Sequence, residues 1–145
     1  MPTLVDTNVL LRLIQPQSPQ AQIAERALRA LRRDRDSLHI ASQNIIEFWV
    51  VATRPVSENG LGLTIDQALH EVVRLKRFFI LLPELPLQSE WERLVVTFRV
   101  SGKNGHDARL VAAMSVHRLD RILTFNVADF TRYTGIKVLD PKAVF

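Results

Sequence analysis

The sequence predicts a three-layer α/β/α domain built on a mostly parallel central sheet. Two observations carry this. Short apolar runs alternate along the chain with longer segments of helical periodicity, which is the pattern of successive βα units. The length of 145 residues, 47% of them hydrophobic, also supplies material for one core and not for two. Residues 1–145 are therefore read as a single domain, with no repeat, low-complexity tract or Gly/Ser linker to divide them.

Thr3-Leu4-Val5 reads as a first buried strand, followed at once by the apolar Val9-Leu10-Leu11 and Leu13-Ile14. Ser18-Pro19 starts a helix, proline being suited to the first helical position. Ile23, Ala27, Leu28 and Leu31 share one side of that helix, and Arg26, Arg29 and Arg33 line another. Leu38 to Ala41 is a second strand, and Ser42 is expected to cap the helix after it. Ile45, Ile46, Trp49 and Val50 form the apolar stripe of that helix, with Pro55 just past its end. After a loop over 56–63, Thr64 and Gln67 make a capping box for a helix bearing Ala68, Leu69, Val72 and Leu75. Phe79 to Leu82 is a third strand. Trp91, Leu94, Val95 and Phe98 recur at i, i+3, i+4 and i+7, a helical spacing. Gly102-Lys103-Asn104-Gly105 is a turn, and Asp107 opens the next helix, with Leu110, Val111, Met114 and His117 facing inward. Residues 122–125 and 136–139 complete the sheet as fourth and fifth strands.

Composition removes several classes of function. Cysteine is absent, which excludes disulfides, a thiolate nucleophile and cysteine-bound zinc or iron–sulfur clusters. The four histidines show no paired ligand spacing. No apolar run approaches the roughly 18 residues of a membrane span, and the N-terminus lacks the pattern of a secretory signal, so a cytoplasmic location away from membranes is expected. Nineteen Lys and Arg against fifteen Asp and Glu give a net charge of +4, which favours a polyanionic partner.

Open α/β sheets bind ligands at the carboxyl ends of their strands. Asp6 directly follows the first strand, and Glu47 lies early in the helix after the second. Asp107 begins the helix leading to the fourth strand, which Asn126 and Asp129 follow. If the first and fourth strands are neighbours, these groups converge. Clustered carboxylates repel and ask for a cation, and oxygen donors suit a hard divalent ion such as Mg²⁺. Such an ion acidifies a bound water and neutralises a phosphoryl group, so metal-assisted phosphodiester hydrolysis is the chemistry suggested. Each acid has a plain structural alternative: a backbone bond for Asp6, a solvated face for Glu47, a helix start for Asp107, and a turn for Asp129. The polar Thr7 and Asn8 beside Asp6, and Ser42, Gln43 and Asn44 ahead of Glu47, weigh towards a site.

These segments resemble the motifs of PIN-domain ribonucleases, and among them the VapC-like toxins of type II toxin–antitoxin pairs. Val5-Asp6-Thr7-Asn8-Val9-Leu10-Leu11 is similar to the N-terminal motif, Gln43-Asn44-Ile45-Ile46-Glu47-Phe48 to the second and 106–113 to the third. Leu123-Thr124-Phe125-Asn126-Val127-Ala128-Asp129-Phe130 resembles the fourth, whose acid varies in position. The resemblance implies an endoribonuclease that uses Mg²⁺ or Mn²⁺, with Asp6, Glu47, Asp107 and Asp129 as catalytic and metal-binding residues. Thr7, Asn8, Thr124 and Asn126 would be polar support. Asn126 adds no charge where some members carry an acid, which bears on the binding of a second metal. The resemblance also implies an RNA substrate, a homodimer and a small antitoxin whose C-terminal segment covers the site. Arg12, Arg26, Arg29, Arg33, Lys103 and Arg109 are candidates to guide RNA phosphates, with a solvated face the alternative for the arginine row. A housekeeping RNA-processing nuclease and a catalytically silent RNA- or protein-binding module are the rival readings. A haloacid-dehalogenase-type phosphatase would want an aspartate two positions after Asp6, where this chain has Asn8.

Overall fold

The computed structural model describes residues 1–144, so Phe145, the last residue of the expected domain, lies outside the described residues. The strands are β1 (Pro2–Val5), β2 (Ser37–Ile40), β3 (Ile80–Leu81), β4 (Arg121–Leu123) and β5 (Lys137–Leu139). The helices are α1 (Thr7–Leu13), α2 (Pro19–Arg33), α3 (Ser42–Thr53), α4 (Ile65–Phe78), α5 (Gln88–Thr97) and α6 (Asn104–Val116). The sheet is all-parallel in the order β3-β2-β1-β4-β5, with Leu4 opposite Ile122 and Val5 opposite Leu123. The neighbouring first and fourth strands that the acid cluster required are thus present.

Successive residues of a strand face opposite sides, and β1 and β4 use this to feed two cores. Val5 and Leu123 pack with α1–α4, while Leu4 and Ile122 pack with α5 and α6. The sheet is the middle layer of three.

Several boundaries differ from expectation. β2 stops at Ile40 because Ala41 is the N-cap of α3. Ser42 does not cap; its hydroxyl bonds Glu84, and the Ala41 amide is satisfied by Asn44 Oδ1 at 2.8 Å. β3 keeps only Ile80–Leu81, because Phe79 ends α4. β4 ends at Leu123 and β5 starts at Lys137. Asp107 is the fourth residue of α6 rather than its first, and His117 is the half-buried residue that ends it. The apolar stripe of α3 is rotated: Asn44, Phe48 and Ala52 are buried, whereas Ile46 and Val50 are 62% and 50% exposed. A band of apolar residues this wide can turn either edge inward, and here a polar residue, Asn44, holds the buried edge. Leu69 likewise faces out, and α4 buries Ala68, Val72 and Leu75.

Candidate active site

Strand order reverses at β1. From it the chain runs outward to β2 and β3, then returns to lay β4 on the other side. The crevice beyond the carboxyl ends of β1 and β4 is therefore the switch point where such sheets take ligands. Asp6 is there by construction. Its amide extends the ladder to Leu123 O at 3.0 Å, and its side chain is the N-cap of α1, accepting from Thr7 N at 2.8 Å. The other oxygen, Oδ2, accepts from Thr124 Oγ1 at 2.8 Å and from Asn8 Nδ2 at 3.3 Å. Thr124 also accepts from Asn8 Nδ2 and from the Asn126 amide, and Asn8 Oδ1 accepts from Phe125 N. Every polar atom of the Thr124 hydroxyl is thereby used, and the Asp6 carboxylate is fixed in place.

Glu47 is held from α1 and from its own helix. Thr7 Oγ1 donates to Oε2 at 3.1 Å, and Gln43 Nε2 to Oε1 at 2.7 Å. Thr7 in turn accepts from the fully buried Asn44 at 3.1 Å. Asp107 comes from the first turns of α6, half-buried, and no hydrogen bond from the described residues reaches its carboxylate. Burial, first of all, pushes the Asp6 carboxyl up to about 6. The bonds from Thr124 and Thr7 pull it back, and the charges of Glu47 and Asp107 add to the rise. Asp107 is also raised to about 6, by burial and then by Asp129 and Glu47, with His106 and Arg132 opposing.

These residues line an open cleft of about 380 Å³. The lining combines the polar Asp6, Thr7, Asn8, Glu47, Asp107 and Asn126 with the apolar Leu11, Ile46, Val50 and Val51. Asp129, in the short turn Val127–Asp129, is not part of this lining but acts on Asp107 through its charge. Gln43 and Asn44 are the site residues that sequence reasoning did not single out individually. Their signal was a run of polar side chains at the start of an otherwise apolar helix. The six candidate RNA contacts do not line the cleft. Arg12 bonds Gln15, Arg29 pairs with Glu25 at 3.8 Å, and Arg26 and Arg33 are exposed on α2. Lys103 is exposed just before α6, and Arg109 reaches Gln43 Oε1 at 3.1 Å.

No three carboxylate or imidazole side chains among the described residues form a ready-made ligand group. The donor set nevertheless fits a hard divalent cation. It is all oxygen, and two of its acids are raised to about 6, first by burial and then by neighbouring carboxylates, Glu47 acting on both. Magnesium asks a protein for only one or two carboxylates and keeps water elsewhere.

A family model described as PIN domain matches residues 3–136. No curated protein matches the chain by sequence. Among solved structures, a chain of VapBC2 from Rickettsia felis, bound to a DNA fragment from their promoter, is similar at TM-score 0.69 and 13% identity. That match covers 97% of this chain and 98% of that one. A chain of VapBC-1 from nontypeable Haemophilus influenzae matches at 0.67 and 16% identity, with the same two coverages. A chain of FitAcB from Neisseria gonorrhoeae matches at 0.65 and 16%, covering 96% of this chain and 97% of that one. At these identities the likeness is one of fold.

Proposed function

This chain belongs to the PIN-domain family, and on that premise we propose that it is an endoribonuclease dependent on Mg²⁺ or Mn²⁺, acting as the toxin of a VapBC-type pair in the cytoplasm. The observation that carries the reading is the meeting of Asp6, Glu47 and Asp107, from three different elements, at the sheet's switch point. Asp6 and Asp107 would hold the cation, with Glu47 and Asp129 completing its shell directly or through water. When bound, such an ion neutralises charge on the scissile phosphate and makes a coordinated water more acidic. The protein's share is preorganisation. Thr124 and Asn8 keep one Asp6 oxygen oriented, and Thr7 and Gln43 each hold one oxygen of Glu47, leaving its other lone pairs to accept from the attacking water. Asn126, on the cleft wall, can bond water or substrate without adding charge.

Charge supports RNA as the substrate. With the four acids neutralised, nineteen Lys and Arg face eleven remaining Asp and Glu, a balance of +8. The exposed apolar pair Ile46 and Val50 in the cleft lining supports an antitoxin segment as the natural cover of the site. A homodimer is part of the same reading. The test is purified protein on transfer and ribosomal RNA, with and without chelator. Cleavage should require added Mg²⁺ or Mn²⁺ and be lost in Asp6→Asn and Asp107→Asn; cleavage persisting in metal-stripped protein would remove the metal mechanism. Expression alone should arrest growth, with relief from an antitoxin encoded beside the gene. Normal growth at high soluble expression would point to a housekeeping nuclease instead.

A further inference from the structure

A primary amide has two N–H donors and one carbonyl acceptor, and at Gln43 each meets a group of the opposite kind. Nε2 donates to Glu47 Oε1 at 2.7 Å and to the His106 backbone carbonyl at 2.8 Å, while Oε1 accepts from Arg109 Nη1 at 3.1 Å. The orientation is forced. Carboxylate and carbonyl oxygens only accept and a guanidinium only donates, so a reversed amide would set oxygen against two acceptors and NH₂ against a cation. The side chain is 7% exposed, so none of these partners is readily replaced by water. Glu47 lies one turn further along α3, whereas His106 and Arg109 belong to α6 and flank Asp107.

We propose that Gln43 is a positioning residue of this site, tying the two acid-bearing helices together so that Glu47 and Asp107 serve one divalent cation. The inference rests on the reading of the cleft as a cation site. Thr7 holds one oxygen of Glu47 and Gln43 the other, so without Gln43 the carboxylate turns about a single remaining bond. Gln43 also grips α6 at the residue beside Asp107, which sets the first turn of that helix against α3. Arg109 acts through Gln43: its guanidinium locks the amide in the donating orientation that Glu47 requires.

The test is Mn²⁺ titration calorimetry on chelator-stripped protein, with a thermal melt in chelator and steady-state cleavage alongside. Gln43→Met keeps the length and removes the amide. It should bind Mn²⁺ on the order of 10- to 100-fold more weakly, with kcat lowered and KM for RNA within about twofold of wild type. In a Glu47→Gln background the same change should lose most of its effect on Mn²⁺ affinity, because its target carboxylate is gone. Wild-type Mn²⁺ affinity in Gln43→Met, or an equal loss in both backgrounds, overturns the proposal. If Gln43→Met does not fold, Arg109→Met carries the test: it leaves both donor bonds but unlocks the amide, and should weaken Mn²⁺ binding by roughly threefold or more. Unchanged affinity there overturns the proposal equally. Wild-type protein that binds no Mn²⁺ would instead sink the cation-site reading itself, which separates the two failures.

Discussion

A carboxyl group that is buried beside other carboxylates holds its proton more tightly in the folded chain than in the unfolded one. Asp107, raised to about 6 from 3.8, is in that position. Between those values the native state binds more protons, so this group's contribution is fully present below about pH 4 and is lost as pH rises through 6. Asp107→Asn, at a carboxylate that takes no hydrogen bond from the described residues, should remove the penalty. In chelator at pH 7.5 it should be more stable than wild type by on the order of 1 kcal/mol, a figure reduced for the group's partial exposure. At pH 4 the two should melt alike. Added Mg²⁺ should raise the melting temperature of wild type and leave Asp107→Asn nearly unmoved; equal stabilisation of both would remove Asp107 from the cation site. Asn44 gives the opposite signature. Asn44→Leu strands the Ala41 amide and a lone pair of Thr7 in a fully buried place, so chemical denaturation should show a loss of about 2–3 kcal/mol with or without metal.

Three helices end on an arginine in the left-handed region, a conformation that favours glycine: Arg35 after α2, Arg99 after α5 and Arg118 after α6. Each end closes with an amide from one residue further on, as Leu119 N does to Met114 O at 2.8 Å. Positive charge at a helix C-terminus offsets part of the conformational cost, so Arg118→Gly should stabilise by only about 0.5 kcal/mol, seen as a small rise in melting temperature. These arginines also show what was hard to read at this scale. Helix periods were legible in α2 and α5, because single faces there are apolar without ambiguity, and β1 was legible as a short apolar run buried on both faces. The helix period misled at α3, where Ile45, Ile46, Trp49 and Val50 span a band wide enough to face either the core or the cleft. The edge strand β3 shrank to two exposed residues because one partner strand sustains it, and one-sided pairing leaves little sequence signature. Asp6 and Glu47 stood out because charge interrupts apolar sequence after the first two strands, and Asp107, at a helix start, stood out only in company with them. Gln43 did not, since an amide's role depends on what lies across from it, here on a helix some sixty residues away.

The molecule as a whole is a positive body around a negative cleft. If RNA is the substrate as proposed, its affinity should fall linearly with the logarithm of salt, by about 0.7 per phosphate contacted on a single strand. Lys103, exposed at the entrance to α6, should contribute one such contact. Lys103→Gln should reduce the slope by about that amount and weaken all sequences alike, as read by filter binding of metal-free protein; an unchanged slope would place Lys103 outside the RNA path. The β1–β4 pairing carries a different consequence. Asp6 and Thr124 are 118 positions apart, and the central strand of the sheet stays without its second neighbour until β4 has been made. Contacts of such long sequence separation form late, and the chain leaves the ribosome N-terminus first. A growing polypeptide therefore has no assembled cleft until β4 and Thr124 have been synthesised, so on the proposed reading the ribosome translating it meets no finished nuclease before that point of its own work.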